Sequence, residues 1–121
     1  TEHTGHLIDI VPTILEVTGA EYPDTYQGKK VLPYDGQSFL SVLMGNGTFE
    51  RFDPLYFQWG KDEALIEEDW KLVRLDAGPW ELYNRNQDKT ELVDLSIVEP
   101  SVADSLIRKH EAWMRAMDAY R

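Results

Sequence analysis

Apolar residues recur in this chain with two periods, helical at both ends and strand-like between. From Leu7 to Val17 they fall at 7, 10, 11, 14 and 15, one side of a helix, with Ile8 and Val17 widening the stripe. Asp9 stands where a cap belongs, Pro12 sits in a first turn that tolerates a missing N–H, and Gly19 is a natural stop. The pattern predicts a helix of about 11 residues, apolar enough to be buried between layers. Residues 20–36 read as an irregular connection, with turn signals at Tyr22-Pro23-Asp24, Gly28-Lys29-Lys30, Leu32-Pro33 and Asp35-Gly36. Phe39, Leu40, Leu43 and Met44 then predict a one-sided helix of about two turns ended by Gly45. Asn46-Gly47-Thr48 matches a glycosylation sequon and reads as a loop tip.

The middle of the chain changes period. Leu55-Tyr56-Phe57-Gln58-Trp59, Ala64-Leu65-Ile66, Trp70–Leu75 and Trp80–Asn84 are strand-like runs. The turns between them are Gly60-Lys61-Asp62-Glu63, Glu67-Glu68-Asp69 and Asp76-Ala77-Gly78-Pro79, so the runs predict a four-stranded antiparallel meander. Alternation is imperfect. Leu55, Phe57 and Trp59 oppose Tyr56; Trp70 and Leu72 oppose Val73 and Leu75; Trp80 and Leu82 oppose Tyr83. A half-solvated antiparallel sheet carries one apolar face, not two. After Pro100 the helical period returns at 102, 106, 113, 117 and 120, with His110 in the stripe. This predicts a helix of about 20 residues across one sheet face. The second face needs the N-terminal helix, a second copy of the chain, or a further domain.

The expected fold class is therefore α+β: a small four-stranded antiparallel sheet packed by a long C-terminal helix, with a short buried N-terminal helix. The 121 residues suit one small domain or part of a larger protein, and a first residue Thr1 rather than Met predicts a processed product or excised piece. Net charge of −10, with 12 scattered basic residues, argues against nucleic acid. A mean hydropathy of −0.46 fits a water-exposed globular chain, and no apolar run is long enough to span a bilayer. With no Cys there is no disulfide and no thiolate chemistry.

Candidate chemistry is sparse. His3 and His6 are close in sequence, yet their spacing is no metal signature and no Cys or paired carboxylate accompanies them. His6 precedes the first helix and reads as structural; His110 reads as a core-edge residue. Glu67-Glu68-Asp69 reads as a solvated turn rather than a hard-cation site. No Ser lies in a nucleophile elbow, and no glycine-rich phosphate loop follows a strand. Trp59 and Trp70 read first as cross-strand packing. These residues describe a non-catalytic module, with no catalytic and no metal-binding residues of its own.

Three stretches in order resemble the C-terminal part of a type I, formylglycine-dependent sulfatase of the alkaline phosphatase superfamily. Residues Gly5–Ala20 resemble its Asp-x-x-Pro-Thr helix, here Asp9, Pro12 and Thr13. Asp35-Gly36-Gln37-Ser38-Phe39-Leu40 resembles the Asp/Glu-Gly-x-Ser-Leu turn that follows. Asp69–Val73, Trp80–Asn84 and Thr90–Leu95 resemble the closing strand pair and tail. The resemblance implies an arylsulfatase-like sulfuric ester hydrolase whose nucleophile, a formylglycine from Cys or Ser, and calcium ion lie upstream of this chain. It implies that residues 1–20 end the catalytic α/β domain, 21–53 connect, and 54–121 form the C-terminal subdomain. The implied partners are that catalytic domain and, through it, a sulfate ester; a homodimer of the chain is a further expectation. A periplasmic or secreted parent is implied too.

Where related arylsulfatases place a Glu-His-x-Gly-Asn-Arg-like turn, this chain reads Gln58-Trp59-Gly60-Lys61-Asp62-Glu63, without the His. Gln58, Trp59 and Lys61 are thus the candidate substrate-rim residues. Two alternatives stand beside this reading: a phosphonate monoester hydrolase or phosphodiesterase of the same superfamily, and a stand-alone binding or assembly module.

Overall fold

The computed structural model describes residues 3–45, 47 and 49–118. The Asn46-Gly47-Thr48 sequon and position 120 of the C-terminal stripe therefore fall wholly or partly outside the described residues. The chain divides into two compact units, Thr1–Phe52 and Asp53–Arg121.

In the first unit a single 3-10 turn, Leu7–Asp9, runs into helix α1, Ile10–Thr18. Gly19 ends α1 in the left-handed region at φ 68°, its N–H donating to the Leu15 carbonyl. Two expectations fail here. Asp9 does not cap α1, because its own backbone is already helical (φ −77°, ψ −11°) and its side chain bonds elsewhere. Nor is α1 buried: Ile10, Val11, Ile14 and Val17 are exposed, as is Leu7 in the turn before it, and in α1 only Pro12 is enclosed. Helix α2, Leu40–Leu43, packs on α1 and is a single turn rather than two. A patch this short cannot cover the whole stripe. Between them, the connection is not wholly irregular. Strands β1, Thr25–Tyr26, and β2, Lys29–Lys30, form an exposed hairpin around Gln27-Gly28, both at positive φ.

The second unit holds strands β3, Leu55–Trp59; β4, Asp62–Glu67; β5, Trp70–Arg74; and β6, Glu81–Asn84, in the order β3-β4-β5-β6, all antiparallel. The turns are tighter than the sequence suggests. Trp59 pairs with Asp62 around Gly60-Lys61, and Glu67 pairs with Trp70 around Glu68-Asp69, so Asp62, Glu63 and Glu67 belong to strands. Pairing aligns Tyr56, Leu65, Leu72 and Leu82 in one row across the sheet. Helix α3, Pro100–Asp118, lies on that row and contributes Ala103, Leu106 and His110 to the buried layer. Leu65, Leu72 and Leu82 are each 0% exposed, and burying each contributes about 1.5–3 kcal/mol. His110 lies in the core, not at its edge. The opposite face carries Phe57, Ala64, Ile66 and Val73, half-buried, with Trp59 and Leu75 exposed. Among the described residues no helix is long and apolar enough to cross a membrane.

Candidate functional site

Within the first unit, the two motifs that open the chain close on each other. The Asp9 carboxylate is 3% exposed and receives N–H donors from His6 at 2.7 Å and from Gln37 at 3.0 Å. Arg51 completes the set, with Nη1 3.2 Å from Oδ1 and Nη2 on Oδ2. Thr13 works one turn on. Its hydroxyl donates to the Asp9 carbonyl at 2.6 Å and accepts the Phe39 N–H at 2.9 Å. Gly36 has φ 93°, and a Cβ there would stand 2.5 Å from the Ile8 carbonyl oxygen. The Asp-x-x-Pro-Thr helix thus grips the Asp-Gly-x-Ser turn through side-chain acceptors, at a backbone approach that a side chain would block.

Burial alone pushes Asp9 up, but hydrogen bonds from Arg51, Gln37 and His6 outweigh it and hold the carboxyl below its ordinary value. His6 is used locally, its Nδ1 accepting the Ile8 N–H at 3.3 Å. Beside this clamp an apolar groove of about 490 Å³ opens between Leu7, Ile10, Ile14, Phe39 and Leu43. Arg51, which sits in an irregular stretch, was not marked by any sequence signal. Only the composition of the motif, an Asp with no nearby cation, could have prompted a search for its partner.

The candidate rim lies at one end of the second unit's sheet. Strand alternation places Gln58 on the α3-facing side and Trp59 on the other, so the structure separates them. The Trp59 indole is 86% exposed. Lys61 occupies the β3–β4 turn, its Nζ 3.2 Å from Asp76, and both side chains are exposed. Two further bonds tie this turn to the β5–β6 loop: the Ala77 N–H donates to the Lys61 carbonyl at 3.1 Å, and the Asp76 N–H donates to Asp62 at 2.8 Å. Asp76 and Ala77 both have positive φ, 49° and 56°. Trp59 and Lys61 therefore stand on a braced tip, and Asp62 and Asp76, its braces, were not among the candidates.

The remaining candidates are structural. Glu67 takes the Lys109 ammonium of α3 on both oxygens at 2.6 Å. Trp70 packs on the buried leucines. Among the described residues no group of three or more acidic, His or Cys side chains could hold a metal, and the chain has no Cys. The donor set does not suit a calcium ion, which needs several convergent oxygens, nor a Cys-derived formylglycine.

No family model matches the chain. An uncharacterized sulfatase of Schizosaccharomyces pombe is 28% identical over 114 residues, covering 89% of this chain and 20% of that protein. Ps i-CgsB, in complex with k-i-k-neocarrahexaose, superposes with a TM-score of 0.66 at 23% identity, covering 87% of this chain and 23% of its own. A Bacteroides thetaiotaomicron protein from the metabolism of multiple glycosaminoglycans, BT33336S-sulf, gives a TM-score of 0.64 at 16% identity, covering 92% and 24%. At these identities the two solved structures show a shared fold. The chain spans 20% of the curated relative's length.

Proposed function

We propose that this chain, whose likenesses fit a C-terminal fragment of a sulfatase, acts as the small subdomain beside a hydrolytic domain and is inactive alone. The observation that supports it is the 114-residue alignment, which covers 89% of this chain yet takes in 20% of a sulfatase. Sulfate-ester hydrolysis breaks a sulfur–oxygen bond, adds water to sulfur and releases the alcohol. It needs a nucleophile and positive charge facing the sulfate. Neither a Cys nor a convergent metal-ligand group is present among the described residues to supply them. In this reading the formylglycine and calcium belong to the hydrolytic domain, and no step is routed through this chain's residues.

What the chain contributes is a surface and a rim. The exposed apolar side of α1 and of the turn that leads into it, with Leu7, Ile10 and Ile14, is the face turned to the hydrolytic domain. Trp59 and Lys61 border the substrate: the indole offers a flat apolar face, and the ammonium, held by one exposed ion pair, can exchange Asp76 for a sulfate oxygen at little cost. Gln58, directed to the α3 side, is a support rather than a contact. With k-i-k-neocarrahexaose bound to Ps i-CgsB, a sulfate ester of an oligosaccharide is the substrate class to try first.

The test uses a chromogenic aryl sulfate and a sulfated oligosaccharide with the purified chain and with its full-length parent. The chain alone should give no turnover and the parent should give it. Hydrolysis by the chain alone would sink the reading. In the parent, Trp59→Ala and Lys61→Ala should raise KM by roughly tenfold, and unchanged KM in both would remove the rim role.

A further inference from the structure

His110 is the one imidazole enclosed in the second unit, 1% exposed on the sheet-facing side of α3. Three aromatic rings surround it: Trp80 edge-on at 5.2 Å, Trp113 at 5.8 Å and Tyr56 at 6.3 Å. Trp113 stacks flat on Tyr56 at 5.0 Å and shuts the cage toward the end of the helix. A hydrogen bond joins the ring to the backbone of Phe57 in β3, while Nε2 is buried without a hydrogen-bond partner. A neutral imidazole suits this arrangement better, since one nitrogen donates and only an uncharged acceptor nitrogen is left unsatisfied. An imidazolium suits it less, because it puts a charge and a second N–H into a buried site where Nε2 has no hydrogen-bond partner.

The charged groups around the cage offer no rescue. Glu63 of β4 is buried but committed to Arg74 of β5, whose guanidinium lies 4.5 Å over the Trp80 ring. Glu67 of β4 is held by Lys109, and Glu111 on α3 points outward with Arg115. Tyr56, the only titratable group facing from β3, is neutral across the range in question. Burial pushes the His110 ring below its ordinary value of 6.5, Glu63 and the Phe57 hydrogen bond opposing and Arg74 adding to it.

We propose that His110 is an acid-sensitive latch: neutral, it pins α3 to β3 inside the aromatic cage, and on protonation it lets α3 lift from the sheet. The group binds its proton in the released state and not in the docked one. Docking is therefore fully favoured above pH 6.5 and weakens as pH falls below it, by up to about tenfold in the opening equilibrium per pH unit. The latch rests on the second unit alone and holds whatever reaction the parent performs.

Imidazole proton shifts of the three histidines and amide hydrogen exchange, followed from about pH 7.5 to about pH 5, test it. In the docked state His110 should stay neutral below pH 6.5, and protection over Val102–Trp113 should fall toward tenfold per unit while β5 keeps its own. In His110→Phe, which fills the cage without titrating, α3 protection should lose this pH slope. An unchanged slope in the variant, helix and β5 amides accelerating together, or His110 titrating at 6.5 or above would overturn the latch. Should the variant not fold, the wild-type titration and the α3-against-β5 comparison decide alone.

Discussion

Arg51 reaches back 42 residues to grip the carboxylate of Asp9, Nη1 on Oδ1 and Nη2 on Oδ2, with both side chains nearly excluded from solvent. The same guanidinium donates to the Thr4 carbonyl at 3.3 Å and lies 5.1 Å over the Phe49 ring. One residue thus fastens the start of the first unit to its end. Removing it strands a buried carboxylate with only two backbone donors. Arg51→Met should cost about 3–5 kcal/mol, because an uncompensated buried charge is dearer than the pair is valuable. Denaturant titration checks this, and the pairing of Arg51→Met with Asp9→Asn should recover a large part of the loss. A single-mutant cost under about 1 kcal/mol would show that the ion pair is incidental.

Two glycines separate conformational strain from close approach. Gly19 has φ 68° and open space at its Cβ position, so Gly19→Ala should cost about 1–2 kcal/mol. Gly36 has φ 93° and, in addition, the Ile8 carbonyl 2.5 Å from where a Cβ would sit. Backbone has to move there, and Gly36→Ala should be distinctly the worse of the two in equilibrium denaturation. Equal costs would mean the turn can drift off the helix without penalty.

These two residues also mark how far the sequence could be read. Gly19 was legible as a helix stop because a stop is a local event. Gly36 was legible only as a turn, since its closest neighbour lies far back in the chain. The same division runs through the fold. The meander and α3 follow from period and turn chemistry, which act within a few residues. Asp9 looked like a cap because position alone suggests one; its real partners, Gln37 and Arg51, come from distant stretches. The β1–β2 hairpin carries no periodic signal because Thr25, Tyr26, Lys29 and Lys30 are all exposed and show no alternation. Of the candidate rim, Trp59 and Lys61 could be located on a turn, but not the brace from Asp76.

Leu72 and Trp59 should respond oppositely to truncation. Leu72 is 0% exposed at the centre of the row joining Leu65 to Leu82. Leu72→Ala should cost about 2–5 kcal/mol through lost burial and the cavity left behind. Trp59 presents its ring to solvent, and Trp59→Ala should stay within about 0.5 kcal/mol of wild type. Thermal denaturation of both variants checks the contrast. A large loss at Trp59 would mean that its surface is already used for stability.

Asp94 fastens the tail to the free edge of the sheet. Its Oδ1 accepts the Leu82 N–H at 3.0 Å and the Ser96 N–H at 2.8 Å, while the Leu95 N–H donates to the Leu82 carbonyl at 2.8 Å. Burial pushes its carboxyl up, but the Leu82 and Ser96 donors outweigh that and hold it below its ordinary 3.8. Asp94→Ala leaves the Leu82 N–H buried without an acceptor, at a cost of about 1–3 kcal/mol. Limited proteolysis should then cut between Leu92 and Val98, where exposed apolar side chains follow an unfastened backbone. Asp94→Asn keeps an acceptor and should resist cleavage; equal cleavage of both variants would move the fastening to Leu95.

Tyr83 sets the alkaline limit of the sheet. Its hydroxyl donates to Glu81 at 2.7 Å, and this hydrogen bond, then burial, then the charges of Glu81, Asp94 and Glu91 push the phenol up to about 12 from 10.0. The unfolded chain releases this proton near pH 10 and the folded chain does not. The contribution is therefore whole below pH 10 and lost progressively as pH rises toward 12. Tyr56, raised by burial and by Glu67 with Lys109 opposing, acts with the same sign. Other groups of the chain titrate at alkaline pH as well, so wild type alone cannot isolate the effect. Comparison with Tyr83→Phe can, because the variant keeps the ring and loses only the titrating group. Stability measured from pH 9 upward, with tyrosinate absorbance followed in parallel, should fall more steeply in wild type than in the variant. Parallel curves would place Tyr83 at an ordinary value and reduce its bond to Glu81 to a surface contact.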